Sequence, residues 1–422
     1  MFLTLRYSIA ALSVFSRLRE TPLIAAFENL LDAGAKAAQP QLDAAWAKFT
    51  MNLAESGSPS FYTAIYEFVR RDENPWTLAA ERGEKSALLD ALAEGDLQTL
   101  KNAACFDFSR LRSLGAERLS AEYGLVQPKK QYPPDDFSIS RLSLDIRQNG
   151  AGIFSNNTMF RWDGASGALV PAFAADPVRF SDLSGYTDER GIVLENTLRF
   201  LKGRENGAYP ANNLLLYGDR GTGKSAAVKA VCNELADKGL RLVEVKKEDF
   251  KELPSITEAL RRRGLFFILF IDDLSFEKQD DSFTMLKALL EGGVERRPAN
   301  VVVYATSNRR HFVKENFAER PAGAGDVRAF DTMQEQLSLS DRFGLTVIFT
   351  SPNQDDYLEI AEFLARKRGM LAQAAVSAEE KAKLNEFRGN ALKWERWFNG
   401  RSPRTACQFV DWCTNGGLFP WD

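Results

Sequence analysis

Eight consecutive residues carry the clearest chemistry in the chain: Gly218-Asp219-Arg220-Gly221-Thr222-Gly223-Lys224-Ser225. They satisfy G-x-x-x-x-G-K-[ST], a pattern whose glycines let the backbone fold tightly, so that its N–H groups converge on phosphate oxygens. Lys224 is placed to reach the β- and γ-phosphates of a nucleotide, and Ser225 to offer its hydroxyl to Mg²⁺. A helix beginning there adds the partial positive charge of its N-terminus. The flanks agree, because residues 213–217 read as an apolar strand and residues 226–236 as a helix.

A second signal is the apolar run 265–271, which ends in Asp272-Asp273. An acid at such a strand tip can hold Mg²⁺ through water, the Walker B arrangement, and Asp272 takes that place. The next acid usually polarises the attacking water. Here it is Asp273, one methylene shorter than the more common Glu. Glu277 is a second candidate if the chain turns helically after Leu274, and the residues do not decide between the two. A third run, 301–305, leads into Thr306-Ser307-Asn308, where Asn308 could orient the hydrolytic water or simply end the strand. Arg309, Arg310 and His311 follow, as phosphate or partner contacts or as a solvated charge run. Arg342, in Ser340-Asp341-Arg342-Phe343-Gly344, and Arg404, near the C-terminus, each offer a planar guanidinium that forks onto two phosphate oxygens. Taken singly, each reads first as an ordinary ion-pair arginine.

These residues need a scaffold, and the pattern supplies one. Residues 213–217, 240–245, 265–271, 301–306 and 345–349 are apolar runs, largely continuous, as in strands buried on both faces. Helical patterns lie between them, which predicts a parallel sheet with crossover helices. After Pro352 the chain reads as helical at 355–368, 378–387 and 405–414. Residues 1 to 125 are rich in Ala, Leu and Glu, with leucines at helical spacing over 80–100, and read as a helical bundle. Phe49, Phe61, Tyr62, Tyr66 and Phe68 are expected in its core. Residues 128–136 read as a linker, 139–146 as a strand or short helix, and 150–167 as a hairpin or loop. The expected organisation is a helical N-terminal domain at 1–130, a linker and irregular segment at 131–175, an α/β core at 176–351 and a helical region at 352–422.

Composition sets outer bounds. The 422 residues are 45% hydrophobic and 26% charged, which excludes a disordered tail, a collagen-like fibre and a small stapled scaffold. With 54 basic against 57 acidic side chains, there is no overall basic footprint for nucleic acid. The four cysteines form no C-x-x-C pair, and the single histidine has no ligand-spaced partner, so neither a zinc site nor a disulfide framework is expected. The longest unbroken apolar stretch, 265–271, is far short of the ~20 residues of a membrane span. Residues 1–15 read as an amphipathic helix rather than a signal peptide, and a cytoplasmic location is expected.

In combination and order these parts resemble the AAA+ ATPases, and more narrowly the bacterial AAA+ family catalogued as the domain of unknown function 815 family. The resemblance runs from Asp176 to the end. It rests on YGDRGTGKS at 217–225, DDLSFE at 272–277, YATSNRRH at 304–311, LSLSDRFG at 337–344 and RTACQFV at 404–410. The segment DLSGY at 182–186 resembles the adenine-contacting stretch, which implies Leu183, Gly185 and Tyr186 as nucleotide contacts. The resemblance implies a P-loop NTPase core of five parallel strands in the order 5-1-4-3-2, with ATP held between that core and a C-terminal helical lid. Asn308 matches sensor 1 and Arg404 matches sensor 2. Arg342 matches the arginine finger that acts on a neighbouring subunit, which implies a homo-oligomer. The expected function is Mg²⁺-dependent ATP hydrolysis that remodels or loads a macromolecular client. Neutral charge leans to a protein client, and the resemblance of the core to helicase-loader and initiator ATPases leans to nucleic acid. The N-terminal helices are expected to choose that client. A slow or non-hydrolysing ATP switch, or an assembly protein braced by ATP, is the alternative. A small-molecule kinase would share the phosphate loop but not the sensor, finger and lid motifs. Residues 314–333 read as a mobile loop that meets a partner or, by a slight margin, as only a long surface loop.

Overall fold

All five expected apolar runs form strands, and a hairpin joins them. The computed structural model describes residues 2–36, 39–111, 135–206, 211–275, 281–291, 298–308, 342–374, 376–398, 400–417, 419 and 421. Its strands are β1 Met159–Asp163, β2 Ala168–Pro171, β3 Leu214–Gly218, β4 Leu240–Glu244, β5 Phe266–Ile271, β6 Val301–Ser307 and β7 Leu345–Phe349. They form one sheet in the order β2-β1-β4-β5-β6-β3-β7. The sheet therefore has seven strands rather than five, and its order differs from 5-1-4-3-2 by the hairpin added beyond β4. Along the rest of the sheet β7, β3, β6, β5 and β4 are successive neighbours, all parallel. The two added strands are short. β1 is fixed by pairing with β4, Met159 opposite Leu242, a long-range contact that local periodicity cannot report.

Every residue of β5 and β6 is buried, as continuous apolar runs require. At β7 that expectation fails: Thr346 and Ile348 are exposed, because this strand is at the sheet edge. Helices Thr187–Asn206, Lys224–Leu235 and Leu253–Arg261 supply crossovers. Tyr304, buried on β6, shares hydrogen bonds with Thr197 (2.7 Å) and Asn196 (3.0 Å) of the first of these helices. Burial raises its phenol pKa to about 12.

Three C-terminal helices, Gln354–Lys367, Ala378–Trp397 and Pro403–Thr414, share an apolar cluster built on Tyr357, Ile360, Phe387, Trp394 and Phe409. The second runs ten residues past the expected end at 387, since Ala391 and Trp394 continue the buried face of Phe387. Asn353, Ser377 and Ser402 cap the three N-termini.

The chain divides into two compact units, Met1–Asn157 with Arg263–Leu265, and Thr158–Arg262 with Phe266–Asp422. The first is helical. Phe27, Phe49, Phe61 and Phe108 meet at ring separations of 4.6–6.0 Å in its core. Tyr62 is buried with them, while Tyr66 and Phe68 are only partly buried against the cluster. The periodic stretch 80–100 is split between helices Pro75–Arg82 and Ala87–Ala104, because Gly83 takes φ 73° and Ser86 caps a new helix. Residues 139–146 belong to helix Ile139–Asn149, not a strand. Among the described residues no helix is long and apolar enough to cross a membrane. Residues 128–134 and 314–333 lie outside the described residues.

Candidate functional site

Register decides which residues meet at the carboxyl edge of the sheet. Tyr217 of β3 lies opposite Ser307 of β6, so Gly218 and Asn308 leave the sheet side by side. Ile271 of β5 lies opposite Ala305, which brings Asp272 beside Thr306.

The loop after β3 depends on glycine at two contacts. Gly218 has φ 139°, and a Cβ there would lie 2.0 Å from the carbonyl oxygen of Phe349. Gly221 has φ 77°, and a Cβ would press on Arg404 Cβ at 3.1 Å. The Asp219 N–H donates to that same Phe349 oxygen at 3.0 Å. Its carboxylate accepts from the Ser351 hydroxyl (2.7 Å) and N–H (2.8 Å), which hold its pKa below the usual carboxylate range. The loop is thereby anchored to the end of β7, where the chain enters the C-terminal helices.

Lys224 opens helix Lys224–Leu235 and is 6% exposed. Its ammonium donates to the carbonyl oxygens of Gly218 (2.9 Å) and Asp219 (2.6 Å) and to Asn308 Oδ1 (3.1 Å). Desolvation lowers its pKa against the pull of Asp219, Asp273 and Asp272. A buried cation so placed gains from an arriving oxyanion. Ser225 Oγ donates to Asp272 Oδ1 at 2.6 Å. Asn308 Nδ2 donates to Asp273 Oδ1 at 2.6 Å, and Asp273 has φ 52°.

These side chains line a cavity of about 690 Å³, closed in part by Leu183, Arg220, Pro403 and Arg404. That volume suits a small-molecule ligand. Thr222 and Gly223 also line it. Arg404 is in the first turn of helix Pro403–Thr414, and its backbone N–H donates to Gly221 O at 3.2 Å. Arg404 and the phosphate-loop pattern, far apart in sequence, thus meet at one cavity.

Other expected residues stand elsewhere. Gly218 and Asp219 form the back of the loop rather than the cavity lining, being committed to Phe349 and Ser351. Gly185 packs on Ile360, and Tyr186 stacks on Phe349 and donates its hydroxyl to Thr350 O at 2.6 Å; neither is among the residues that line the cavity. Arg342 precedes β7, whereas the phosphate loop follows β3. Since the two strands are parallel, with Leu214 opposite Leu345, Arg342 is at the other edge of the sheet from Lys224 and does not line this cavity. Glu277 lies outside the described residues, as do Arg309, Arg310 and His311.

Two participants were not singled out from the sequence. Thr306 lines the cavity and bonds to both Asp272 and Asp273. Its two-residue spacing from Asn308 is the signal that puts both on one strand face. Ser351 holds Asp219 from 132 positions away, and nothing local marks it.

Comparison with known proteins adds kinship. The chain is 32% identical over 148 residues to the ATP-dependent zinc metalloprotease FTSH 7, chloroplastic, of rice (Oryza sativa subsp. japonica). That match takes in 32% of this chain and only 17% of the rice protein. Residues 155–416 match the family model described as Protein of unknown function (DUF815). Both findings bear out the resemblance to AAA+ ATPases stated from the motifs. A family model that spans the whole cavity and most of the chain fixes the kinship: the chain belongs to the DUF815 family.

Proposed function

We propose that the chain is a Mg²⁺-dependent AAA+ ATPase that works as a homo-oligomer on a macromolecular client. One observation carries this reading: Lys224, Ser225, Asp272, Asn308 and Arg404, drawn from four separate stretches, line a single cavity. In this reading the 218–225 segment is a Walker A loop whose N–H groups receive the phosphates. Lys224 exchanges its bonds to Gly218 and Asp219 carbonyls for β- and γ-phosphate oxygens.

The donor chemistry at Ser225 and Asp272 fits Mg²⁺, which takes oxygen ligands and is usually held by one or two carboxylates plus phosphates. Among the described residues no cluster of three or more His, Cys, Asp or Glu side chains forms an all-protein metal cage. Bound Mg²⁺ would neutralise charge on the β- and γ-phosphates. Asp273 or Glu277 then takes the proton of the attacking water, and Asn308 orients that water. Arg404 on the helical lid senses the γ-phosphate. Arg342, at the far edge of the sheet, serves the nucleotide of a neighbouring subunit. The N-terminal helices are the natural reader of a client, and near-neutral charge leans to protein. Zinc proteolysis is not carried over from the rice relative, since a zincin motif needs two histidines and this sequence has one.

One observation favours a second reading, a slow ATP switch. Asp273 is shorter than Glu, and its carboxylate is already held by Asn308 at 2.6 Å. ATP turnover measured across a protein concentration series, with Lys224→Ala beside it, separates these outcomes. Turnover that rises per subunit with concentration and disappears in the variant supports the oligomeric ATPase. Tight ATP binding without turnover supports the switch. Transfer of phosphate to a small acceptor in place of water would contradict both.

A further inference from the structure

We infer that Thr306 is a positioning residue that sets the metal-holding carboxylate of Asp272 and the backbone of Asp273. The inference rests on the reading of the cavity as an ATP and Mg²⁺ site. Thr306 is 2% exposed and next to last in β6. Its hydroxyl donates to Asp272 Oδ1 at 2.5 Å and accepts the Asp273 N–H at 2.9 Å. The direction of both bonds is fixed, because a backbone N–H can only donate and a carboxylate can only accept. The Thr306 carbonyl also accepts the Leu274 N–H at 2.7 Å. One residue thus holds three consecutive residues by three hydrogen bonds, two through its hydroxyl and one through its carbonyl.

The consequences concern geometry rather than charge. Asp272 Oδ1 receives both the Thr306 and Ser225 hydroxyls, and among the described residues no hydrogen bond to Oδ2 is present. When Ser225 turns its oxygen to a metal, Thr306 alone is left to fix the rotation of the Asp272 carboxylate. Oδ2, which accepts neither of these bonds, is the oxygen that this arrangement leaves for the metal. Asp273 has φ 52°, a conformation that residues with side chains rarely adopt. Its N–H bond to Thr306 Oγ1 holds it there, in the pose from which its carboxylate meets Asn308.

Thr306→Val keeps the shape and removes both hydroxyl bonds, whereas Thr306→Ser keeps them. The test is titration of the full-length chain with a fluorescent ATP analogue, first in EDTA and then at increasing Mg²⁺. Thr306→Val should bind the analogue in EDTA within about twofold of wild type and need about tenfold more Mg²⁺ for the metal-dependent gain, the usual scale for an outer-shell partner. Thr306→Ser should restore the wild-type requirement. A Val variant with wild-type Mg²⁺ dependence would overturn the inference, and so would one that also loses binding in EDTA, since the role would then be structural. A wild-type chain whose binding gains nothing from Mg²⁺ would sink the underlying reading instead, and shows itself before any variant is made.

Discussion

Asp96 and Glu81 of the first unit and the residues around Lys224 of the second use their polar groups in opposite ways. In the first unit Asp96 is 6% exposed and spends its carboxylate on the N–H groups of Ser13 (3.0 Å), Val14 (2.7 Å) and Phe15 (3.0 Å). Glu81, fully buried, is forked by Arg263 at 2.9 and 2.6 Å and accepts the N–H groups of Ala151 and Gly264. These groups close on themselves. In the second unit Lys224, Asp272, Asp273 and Asn308 are linked as tightly, yet they line open volume. Buried polarity alone therefore does not mark a site; polarity directed into space that a ligand can fill does.

The largest effect that bears on this contrast is expected from Arg342→Ala. If Arg342 completes a neighbour's site, turnover should fall about 10³-fold while ATP affinity stays near wild type. Equal loss of affinity would mean that Arg342 acts within its own chain, against its place at the other edge of the sheet. Asp96→Ala should come next. It strips the acceptor from three backbone N–H groups and should cost about 3 kcal/mol in urea unfolding of the chain, with ATP affinity unchanged. An Asp96→Ala chain of normal stability that no longer binds ATP would break the comparison.

The smallest effect is a pH dependence at Asp219. Its folded pKa is depressed by the Ser351 hydroxyl and N–H, so its contribution is complete above the unfolded value of about 3.9. That contribution is lost as pH falls through the lower folded value. Asp219→Asn should flatten this acid limb. The check is thermal stability compared between pH 5 and pH 2.5, where the wild type should lose more than the variant.

Much of the cavity lining was legible because the phosphate-loop pattern is contiguous in sequence. Gly218 to Ser225 must be contiguous for one loop to surround a phosphate, and Asp272 must follow an apolar strand. The helices capped by Asn353, Ser377 and Ser402 were visible for the same reason, although periodicity stopped short of Trp397. What depends on pairing was not legible. The hairpin β1–β2 is readable over 150–167 only as a hairpin or loop, its place in the sheet depending on β4, and the Ser351 clamp on Asp219 depends on β7. Thr306 shows the intermediate case. Its spacing from Asn308 was readable, but its partners depend on the register of β5 against β6. Tyr186 stacks on Phe349, a contact that no local pattern reports.

Whether this cavity binds ATP through Lys224 is decided by equilibrium binding of ATP to the wild-type chain and to Lys224→Ala. Loss of a buried ammonium that bonds phosphate should weaken binding at least about 100-fold, while the variant keeps its fold by circular dichroism. Equal affinity of the two chains, or no binding by a folded wild type, would contradict the account.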